Sequence, residues 1–223
     1  TIGGTLTAGS YADNTIPTSA FIDDVLTGSN FSNDIVGGNR LYVASDASFG
    51  KTVTIVDDAT IEKRLFTTGD VTISGNTASA GRGGGLRCIS SSDPSLVNVL
   101  ISGNTSSQEG GGVYNNASDP SFVNVTITGN LSSPTEGNGI FCMNNSNPNL
   151  VNTILWGNGP DGLEFASYDG SNSITIFYSN IEGGQDNIVT NDNGTIIWGA
   201  GNIDVDPMFV DTPNGDYSLQ RIS

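Results

Sequence analysis

Two acidic residues stand at the same place in neighbouring stretches of this chain. Glu109 and Glu136 each come immediately before a glycine-rich motif. If these stretches stack as parallel strands, the two carboxylates lie about 5 Å apart. That is close to the separation of the carboxylate pair in retaining glycosidases. The alternative is an exposed turn carboxylate in each copy, which explains the recurrence without chemistry and applies equally to Asp93 and Asp119.

A second group of carboxylates near the end of the chain is a candidate calcium site. Hard oxygen ligands suit Ca²⁺, although the chain contains no EF-hand loop. Asp-Pro and Asn-Gly-Asp are also ordinary turn sequences. The sequence therefore permits Ca²⁺ as a cofactor and indicates no other. The predicted ligands are Asp204, Asp206, Asp211 and Asp216, and a further acidic stretch contains Asp186, Asp192 and Asn193.

Apolar and aromatic residues form a candidate contact surface. Leu100, Ile154 and Trp156 fall on the outward side of alternating segments, and Tyr178 follows in a later segment. Trp156 and Tyr178 offer stacking platforms for sugars. Alternatively, a loop or another subunit covers the row, since exposed apolar patches often mark contact surfaces. We favour protein contact or loop cover over sugar binding.

These candidates are positioned by a sequence repeat that occurs three times, with about 27 residues per copy. A period of this length is typical of solenoids and other stacked repeats. A partial copy, Val71 to Asn76, comes earlier, and the unit degrades after Asn158. The aligned segments are GGGLRC with SDPSLVNVLISGN, GGGVYN with SDPSFVNVTITGN, and GNGIFC with SNPNLVNTILWGN.

The unit has the pattern of a coil of short parallel strands. Val125 and Ile127 share one face of their strand, and Thr126 and Thr128 share the other. Stacked copies put like residues on like, which predicts three inward columns of apolar side chains. Asn residues mark the bends, where an inward amide bonds to the amide above it. Gly-Gly-Gly supplies bends that a Cβ would obstruct. The predicted columns are Val71, Ile73, Val99, Ile101, Val125, Ile127, Thr153 and Leu155; Leu96, Phe122 and Leu150; and Leu86, Val113 and Ile140.

The unit resembles the repeats of bacterial secreted right-handed parallel β-helix proteins of the pectate-lyase-like superfamily. It is also similar to polymorphic outer-membrane adhesin repeats, although Phe122-Val123-Asn124 has one residue fewer than their Phe-x-x-Asn. The resemblance implies an all-β right-handed parallel β-helix. The superfamily includes lyases, hydrolases, adhesins and phage spikes, so the fold alone does not select a function. Its lyases imply a basic residue, for which Arg82 and Arg87 are the candidates near the repeats. The hydrolase motifs that contain histidine have no counterpart here, because the chain contains no histidine.

Composition restricts the class of partner. The net charge is −16, with only seven Lys and Arg residues among 223. This argues against nucleic acid and anionic membrane surfaces, which require basic patches. No apolar stretch is long enough for a transmembrane helix. A surface covered by Asn, Ser, Thr and Gly favours a secreted protein whose signal peptide has been removed.

The two cysteines and the first part of the chain complete the expectations. Cys88 and Cys142 occupy equivalent slots two rungs apart, about 9.6 Å at the usual strand spacing. We predict that they are free and buried, since this exceeds disulfide reach. Residues 1–40 do not fit the repeat and are interpreted as an N-terminal cap, or as an arm that pairs with another subunit. Residues 41–223 are assigned to the β-helix.

The sequence favours a non-enzymatic protein with a structural or adhesive role, located outside the cell or at the cell surface. The expected partners are a second copy of the chain, or a protein or glycan of the cell surface. Assembly into a filament or surface layer is one form of this hypothesis. A polysaccharide lyase or glycoside hydrolase acting on acidic polysaccharide is the alternative. A glycan-binding module is third. We expect no nucleic-acid binding and no membrane insertion.

Overall fold

The protein is described by a computed structural model. The structure describes residues 71–133, 136–168 and 170–221, together with the backbone of five short strands before them. Residues 1–40 lie outside the described residues, so the cap and the subunit-pairing arm stay predictions.

The described chain is built almost entirely from strands of two to six residues. Two short 3₁₀ turns, Gln185–Asn187 and Thr212–Asn214, interrupt the last part. No α-helix forms among the described residues. The strands are β1 Leu41–Val43, β2 Ala47–Phe49, β3 Val53–Ile55, β4 Ala59–Ile61, β5 Leu65–Thr67, β6 Val71–Ser74, β7 Thr77–Ala78, β8 Leu86–Ile89, β9 Ser95–Val97, β10 Val99–Ser102, β11 Thr105–Ser106, β12 Val113–Asn116, β13 Ser121–Val123, β14 Thr126–Thr128, β15 Leu131–Ser132, β16 Ile140–Met143, β17 Asn149–Val151, β18 Ile154–Trp156, β19 Leu163–Phe165, β20 Asn172–Phe177, β21 Asn180–Ile181, β22 Gly194–Trp198, β23 Phe209–Asp211 and β24 Asp216–Leu219.

The strands stack into four parallel sheets that run along the rod. Their orders are β3-β6-β10-β14-β18-β21, β9-β13-β17-β20-β22, β8-β12-β16-β19 and β7-β11-β15. Equivalent residues of successive repeats are 26 to 28 positions apart, as in the Asn76, Asn104, Asn130 and Asn158 series. The all-β parallel β-helix is therefore confirmed. The sequence predicted three columns of strands, and the structure adds the short fourth column of β7, β11 and β15.

The first strands form a smaller coil than the repeats do. β1 pairs with β4, β2 with β5 and β3 with β6. Val53 consequently lies opposite Val71, whereas in the next rung Val71 lies opposite Val99, much further along the chain. Strands in this part begin at every sixth residue, from Leu41 to Val71. Each turn of the coil therefore has three short sides here and a longer circumference after β6.

The interior is filled as the alternation predicts. Ile101, Phe122, Ile127, Ile140 and Leu150 are all fully buried, and they belong to one continuous apolar cluster. Stacking in register places each inward side chain on its equivalent, as in Ile101 on Ile127. Burial of apolar surface is the main driving force for folding. In a solenoid each rung contacts only its neighbours, so these columns supply that burial.

One column of asparagines lies inside the coil, and a second lies outside it. Asn104 and Asn130 are fully buried, and the Asn104 Nδ2 donates to Asn130 Oδ1 at 2.9 Å. The amides of Asn98, Asn124 and Asn152 also form a ladder, but their side chains are exposed. Their φ angles of 50–56° place them in the left-handed region, which Asn tolerates. Stacking is confirmed for both columns, and the inward direction only for the first.

The glycine motif allows close approach of neighbouring backbone. A Cβ on Gly84 would lie 2.5 Å from the Gly111 carbonyl oxygen, and one on Gly111 would lie 2.5 Å from the Leu131 carbonyl oxygen. Real Cβ atoms do not approach backbone so closely. The predicted steric role of the Gly-Gly-Gly bends is therefore confirmed.

The chain ends its described part with an antiparallel hairpin of β23 and β24. The ring of Tyr217 packs edge-on against Phe209 with centroids 5.4 Å apart. The Tyr217 hydroxyl lies 3.8 Å from the position of a Cβ on Gly129, which follows β14. The hairpin therefore folds back against the outer side of the sheet that contains β14.

Candidate functional site

Three of the four predicted contact residues share one outer face. Leu100, Thr126 and Ile154 stack in register on β10, β14 and β18, and Trp156 lies two residues beyond Ile154 on the same side. Tyr178 does not belong to this face. It takes the bend position held by Asn152 one rung before, with φ 51°, and it is 63% exposed. The structure thus brings three of these residues together and separates the fourth.

The C-terminal hairpin covers part of this outer face and leaves a groove of about 460 Å³. Thr72, Leu100 and Thr126 form the floor of the groove, and Gly215 with the first three residues of β24 forms its opposite side. Loop cover was one of the two interpretations for the apolar row. The covering segment is supplied by the last residues of the same chain, whose destination the repeat pattern does not indicate.

The carboxylates that precede the glycine motifs are one rung apart, as predicted. The Gly110 N–H donates to the Glu136 carbonyl oxygen at 3.1 Å, and the Gly83 N–H donates to that of Glu109. Glu109 is not an exposed turn carboxylate, however. It is 8% exposed and forms an ion pair with Arg82 through both of its oxygens. This hydrogen bond raises the pKa of Arg82.

A buried aromatic pair lies beside this ion pair on the outer face of β12 and β16. Tyr114 and Phe141 are each 1% exposed and stack with centroids 6.0 Å apart. The guanidinium carbons of Arg82 and Arg87 lie 5.6 and 5.9 Å from the centre of the Tyr114 ring, within cation–π range. The two arginines suggested as lyase bases therefore have structural partners. The sequence offered one signal for this cluster, an aromatic residue at the equivalent position of two successive copies.

Glu164 is an acidic residue whose pKa is raised by its surroundings. It continues the column of Arg87, Tyr114 and Phe141 and is half-buried. Burial raises the pKa of Glu164, against hydrogen bonds from the Asn191 side chain and the Gly137 N–H, which lower it. Both of its oxygens accept hydrogen bonds, and a raised pKa brings a carboxyl group nearer to the range used in proton transfer. Glu164 was not among the site residues predicted from the sequence.

The predicted calcium ligands each have a local hydrogen-bond donor. Asp204 accepts from the Gly183 N–H at 2.9 Å, and Asp206 accepts from the Met208 N–H at 2.9 Å. Asp211 accepts from the Asn214 side chain, and Asp216 accepts from Ser218. Within 71–133, 136–168 and 170–221, no three Asp, Glu or Cys side chains are grouped to hold a metal ion. Calcium binding stays a prediction.

Both cysteines are free and buried, which confirms the expectation for this pair. Asn115 lies between them in the same column, and its Nδ2 lies 3.6 Å from the Cys142 sulfur. Burial raises the pKa of each thiol to about 12. The thiolate form that reacts and binds metals is therefore disfavoured at neutral pH.

Exposed apolar side chains gather in the last coil and the segment that follows it. Six of the ten large apolar side chains that are exposed among the described residues lie between residues 197 and 219. These six are Ile197, Ile203, Val205, Met208, Val210 and Leu219. We call them the C-terminal apolar group. A concentration of this kind is typical of a contact surface.

Comparison with known families decides the classification of this chain. The sequence profile of the family described as "Right handed beta helix region" matches residues 23–207. The chain belongs to this β-helix family. Its domain is shared by adhesins, lyases and hydrolases, and the family therefore includes both enzymes and non-enzymes. No curated protein and no solved structure matches the chain. Among the described residues, the β-helix contains no helix long and apolar enough to cross a membrane.

Proposed function

We propose that this β-helix protein is a non-enzymatic structural or adhesive component of a cell surface. The observation that carries the proposal is the use of its carboxylates to join neighbouring rungs. Asp119 accepts from the Asn147 N–H at 2.7 Å, and Glu182 accepts from the Gly157 N–H at 2.7 Å. Glu164 and Asp204 do the same for Gly137 and Gly183.

These contacts give the acidic residues a mechanical role. Asp93 accepts from the Asp119 N–H, and Asp119 accepts in turn from the next rung, so the two form a continuous chain across three rungs. Hydrogen bonds between a carboxylate and a backbone N–H are stronger than neutral ones. A rod with such bonds along its turns resists separation of its rungs. The high negative charge also suits a soluble extracellular surface.

The C-terminal apolar group supports a contact role for this end of the rod. Apolar side chains left in water favour association, since burial of their surface is stabilising. Ile197 lies on β22 at the end of its sheet, and Val210 and Leu219 lie on the C-terminal hairpin. A rigid rod that exposes apolar side chains in and after its last coil is suited to join other molecules.

Two measurements test this function. Single-molecule stretching should show that Asp119→Ala lowers the force at which rungs separate, because two donors lose a charged acceptor. Asp186→Ala is the control, since that exposed carboxylate lies in a 3₁₀ turn. Incubation with acidic and neutral polysaccharides should release neither new reducing ends nor unsaturated sugars. Release of either product by wild type would overturn the proposal.

A glycoside hydrolase is the second candidate, and Glu164 is the observation that favours it. The pKa of Glu164 is raised by burial and, to a smaller extent, by the charges of Asp161 and Glu136. Neighbouring acidic groups with different surroundings are the arrangement that acid–base catalysis uses. If a polysaccharide is cleaved, Glu164→Gln should abolish the cleavage, and Asp186→Ala should leave it unchanged.

A further inference from the structure

Strand β22 ends its sheet with an unprotected edge. It pairs with β20 on one side, and no other described strand pairs with its second side. Free edges bind further strands unless charged residues, prolines or bulges protect them. The β22 sequence, Gly-Thr-Ile-Ile-Trp, contains neither a charged residue nor a proline. Among the described strands, this edge is therefore open to strand addition.

The direction of the free hydrogen-bonding groups follows from the bonds that flank β22. The Gly199 N–H donates to β20 at 2.8 Å, and the Asn193 carbonyl accepts from β20 at 3.3 Å. The backbone N–H and C=O groups of successive residues point to opposite sides of a strand. Those of the odd-numbered residues therefore point at β20. The N–H and C=O groups of Gly194, Ile196 and Trp198 consequently face the free edge.

We propose that the chain pairs with a second copy of itself through β22, as antiparallel strands related by a two-fold axis at Ile196. In this arrangement Ile196 faces Ile196 of the second copy, and Gly194 faces Trp198. In an antiparallel pair, two facing residues whose N–H and C=O groups point at each other exchange both backbone hydrogen bonds. The edge is therefore complementary to itself, as a two-fold interface requires. The proposal rests on the contact function above and names its partner.

Side chains on both faces of β22 favour this pairing. Ile196 and Trp198 pack on the end of the core and are only partly buried. A second copy would cover them. On the other face, Thr195 is exposed and Ile197 is 49% exposed. Two-fold pairing places Thr195 of one copy directly opposite Ile197 of the other, and such cross-strand pairs stabilise sheets.

The charge distribution permits the pairing despite the net charge of −16. The nearest charged residue on the N-terminal side is Asp192, which would lie opposite the uncharged Ala200. The Asp192 residues of the two copies would be about 27 Å apart along the strands. Salt screens charges over about 8 Å at physiological ionic strength. We expect dimers to strengthen when salt is added, because only the long-range repulsion is reduced.

The first described coil is a poor partner for β22, because it differs in circumference from the last coil. At the first strands, one turn of the coil separates Val53 from Val71. In the last rung of the β22 sheet, one turn separates Asn172 from Gly194, which is a longer stretch of chain. Coils of different circumference do not stack in register on all sides. The same end of a second copy has the same circumference, which favours tail-to-tail over head-to-tail association.

Sedimentation equilibrium tests the pairing with charge variants of the two exposed positions. Wild type should form dimers. The double variant Thr195→Glu/Ile197→Glu sets like charges opposite each other twice and should weaken the dimer at least about tenfold. Thr195→Lys/Ile197→Glu sets opposite charges across the axis and should restore it. Val97→Glu, at an exposed position on β9, is the control and should dimerise as wild type does.

Hydrogen exchange gives a second, residue-specific test. The amides of Ile196 and Trp198 should exchange more slowly as protein concentration rises, whereas the Ile197 amide, which faces β20, should not change. A wild type that stays monomeric, or dimers of Thr195→Glu/Ile197→Glu as tight as those of wild type, would overturn the pairing. A monomer that cleaves no polysaccharide overturns the pairing alone, whereas polysaccharide cleavage overturns the structural function.

Discussion

Replacement of Asn130 by alanine tests what the buried asparagine ladder contributes to stability. Asn130 is fully buried, and its Nδ2 donates to the Ile101 carbonyl oxygen and to Asn158 Oδ1, each at 3.0 Å. Its Oδ1 accepts from the backbone N–H and the side chain of Asn104. Asn130→Ala removes all four bonds at once.

The expected loss follows from the groups that are left without a partner. The Asn104 N–H is left without an acceptor inside the rod, whereas the Ile101 carbonyl keeps its ladder bond from β14. A buried polar group without a partner costs about 1–3 kcal/mol, so the free energy of unfolding should fall by at least this amount. For a chain of this size, each kcal/mol lowers Tm by about 2–4 °C. Asn130→Ala should therefore lower Tm by roughly 2–12 °C.

Asn124 provides the matched control, because it belongs to the exposed ladder. It accepts from Asn152 and donates to Asn98, but water reaches these groups. Asn124→Gly keeps the left-handed backbone conformation available and should cost less than about 1 kcal/mol. Thermal unfolding followed by circular dichroism measures both variants. An Asn130→Ala variant no less stable than Asn124→Gly would refute the role of the buried ladder.

Three further predictions follow from local geometry. Gly111→Ala should destabilise the fold by about 1–3 kcal/mol, because its Cβ would meet backbone at 2.5 Å. Gly81→Ala is the control and should not destabilise the fold, because a Cβ there has no atom within 4 Å. Urea denaturation compares the two variants. Burial raises the pKa of Glu164, so the folded state binds this proton more tightly than the unfolded state does. Lowering the pH from about 7 to about 4 should therefore stabilise wild type relative to Glu164→Gln, whose Tm is measured alongside, and an unchanged difference in Tm would contradict this reasoning. Cys88 and Cys142, whose pKa values are raised to about 12, should resist alkylation in the native protein and react once it is unfolded, and rapid labelling of the native protein would contradict their burial.

The predicted placement of inward residues succeeded because of local periodicity. Val125 and Ile127 alternate with Thr126 and Thr128, and the alternation recurs at a nearly constant interval. A parallel strand with this pattern has one register that buries its apolar side, since a shift by one residue reverses every side chain. The core was therefore predictable from a single unit and its copies.

Residues 41–67 were assigned to the β-helix, but the pairing of their strands was not predicted, because their repeat signal is weaker. Residues 41–67 contain strands of only three residues at intervals of six, and their sequence lacks the Gly and Asn positions that mark the longer unit. Short alternating segments are compatible with several strand arrangements. The pairing of each strand with the third strand after it is decided by which segment it meets in space.

The candidate sites depended more on tertiary structure than the core did. Asp93 and Asp119 were correctly placed in stacked turns, but Glu109 was expected at the surface and is buried against Arg82. Burial between neighbouring rungs raises the pKa of Glu164, while hydrogen bonds from Gly137 and Asn191 of those rungs lower it. Sequence alone shows which residues recur, and it does not show which long side chains meet between rungs.

The amino-acid sequence by itself determined the β-helix, the inward columns, the stacked asparagines and the close approach of the glycine bends. These features repeat, and each copy needs only its neighbour to bury its apolar face. Tertiary structure alone decided the circumference of the first coils, the hairpin that folds back beside Leu100, and the open edge of β22. Each of these occurs once and depends on where a segment ends in space, so no recurrence in the chain records it.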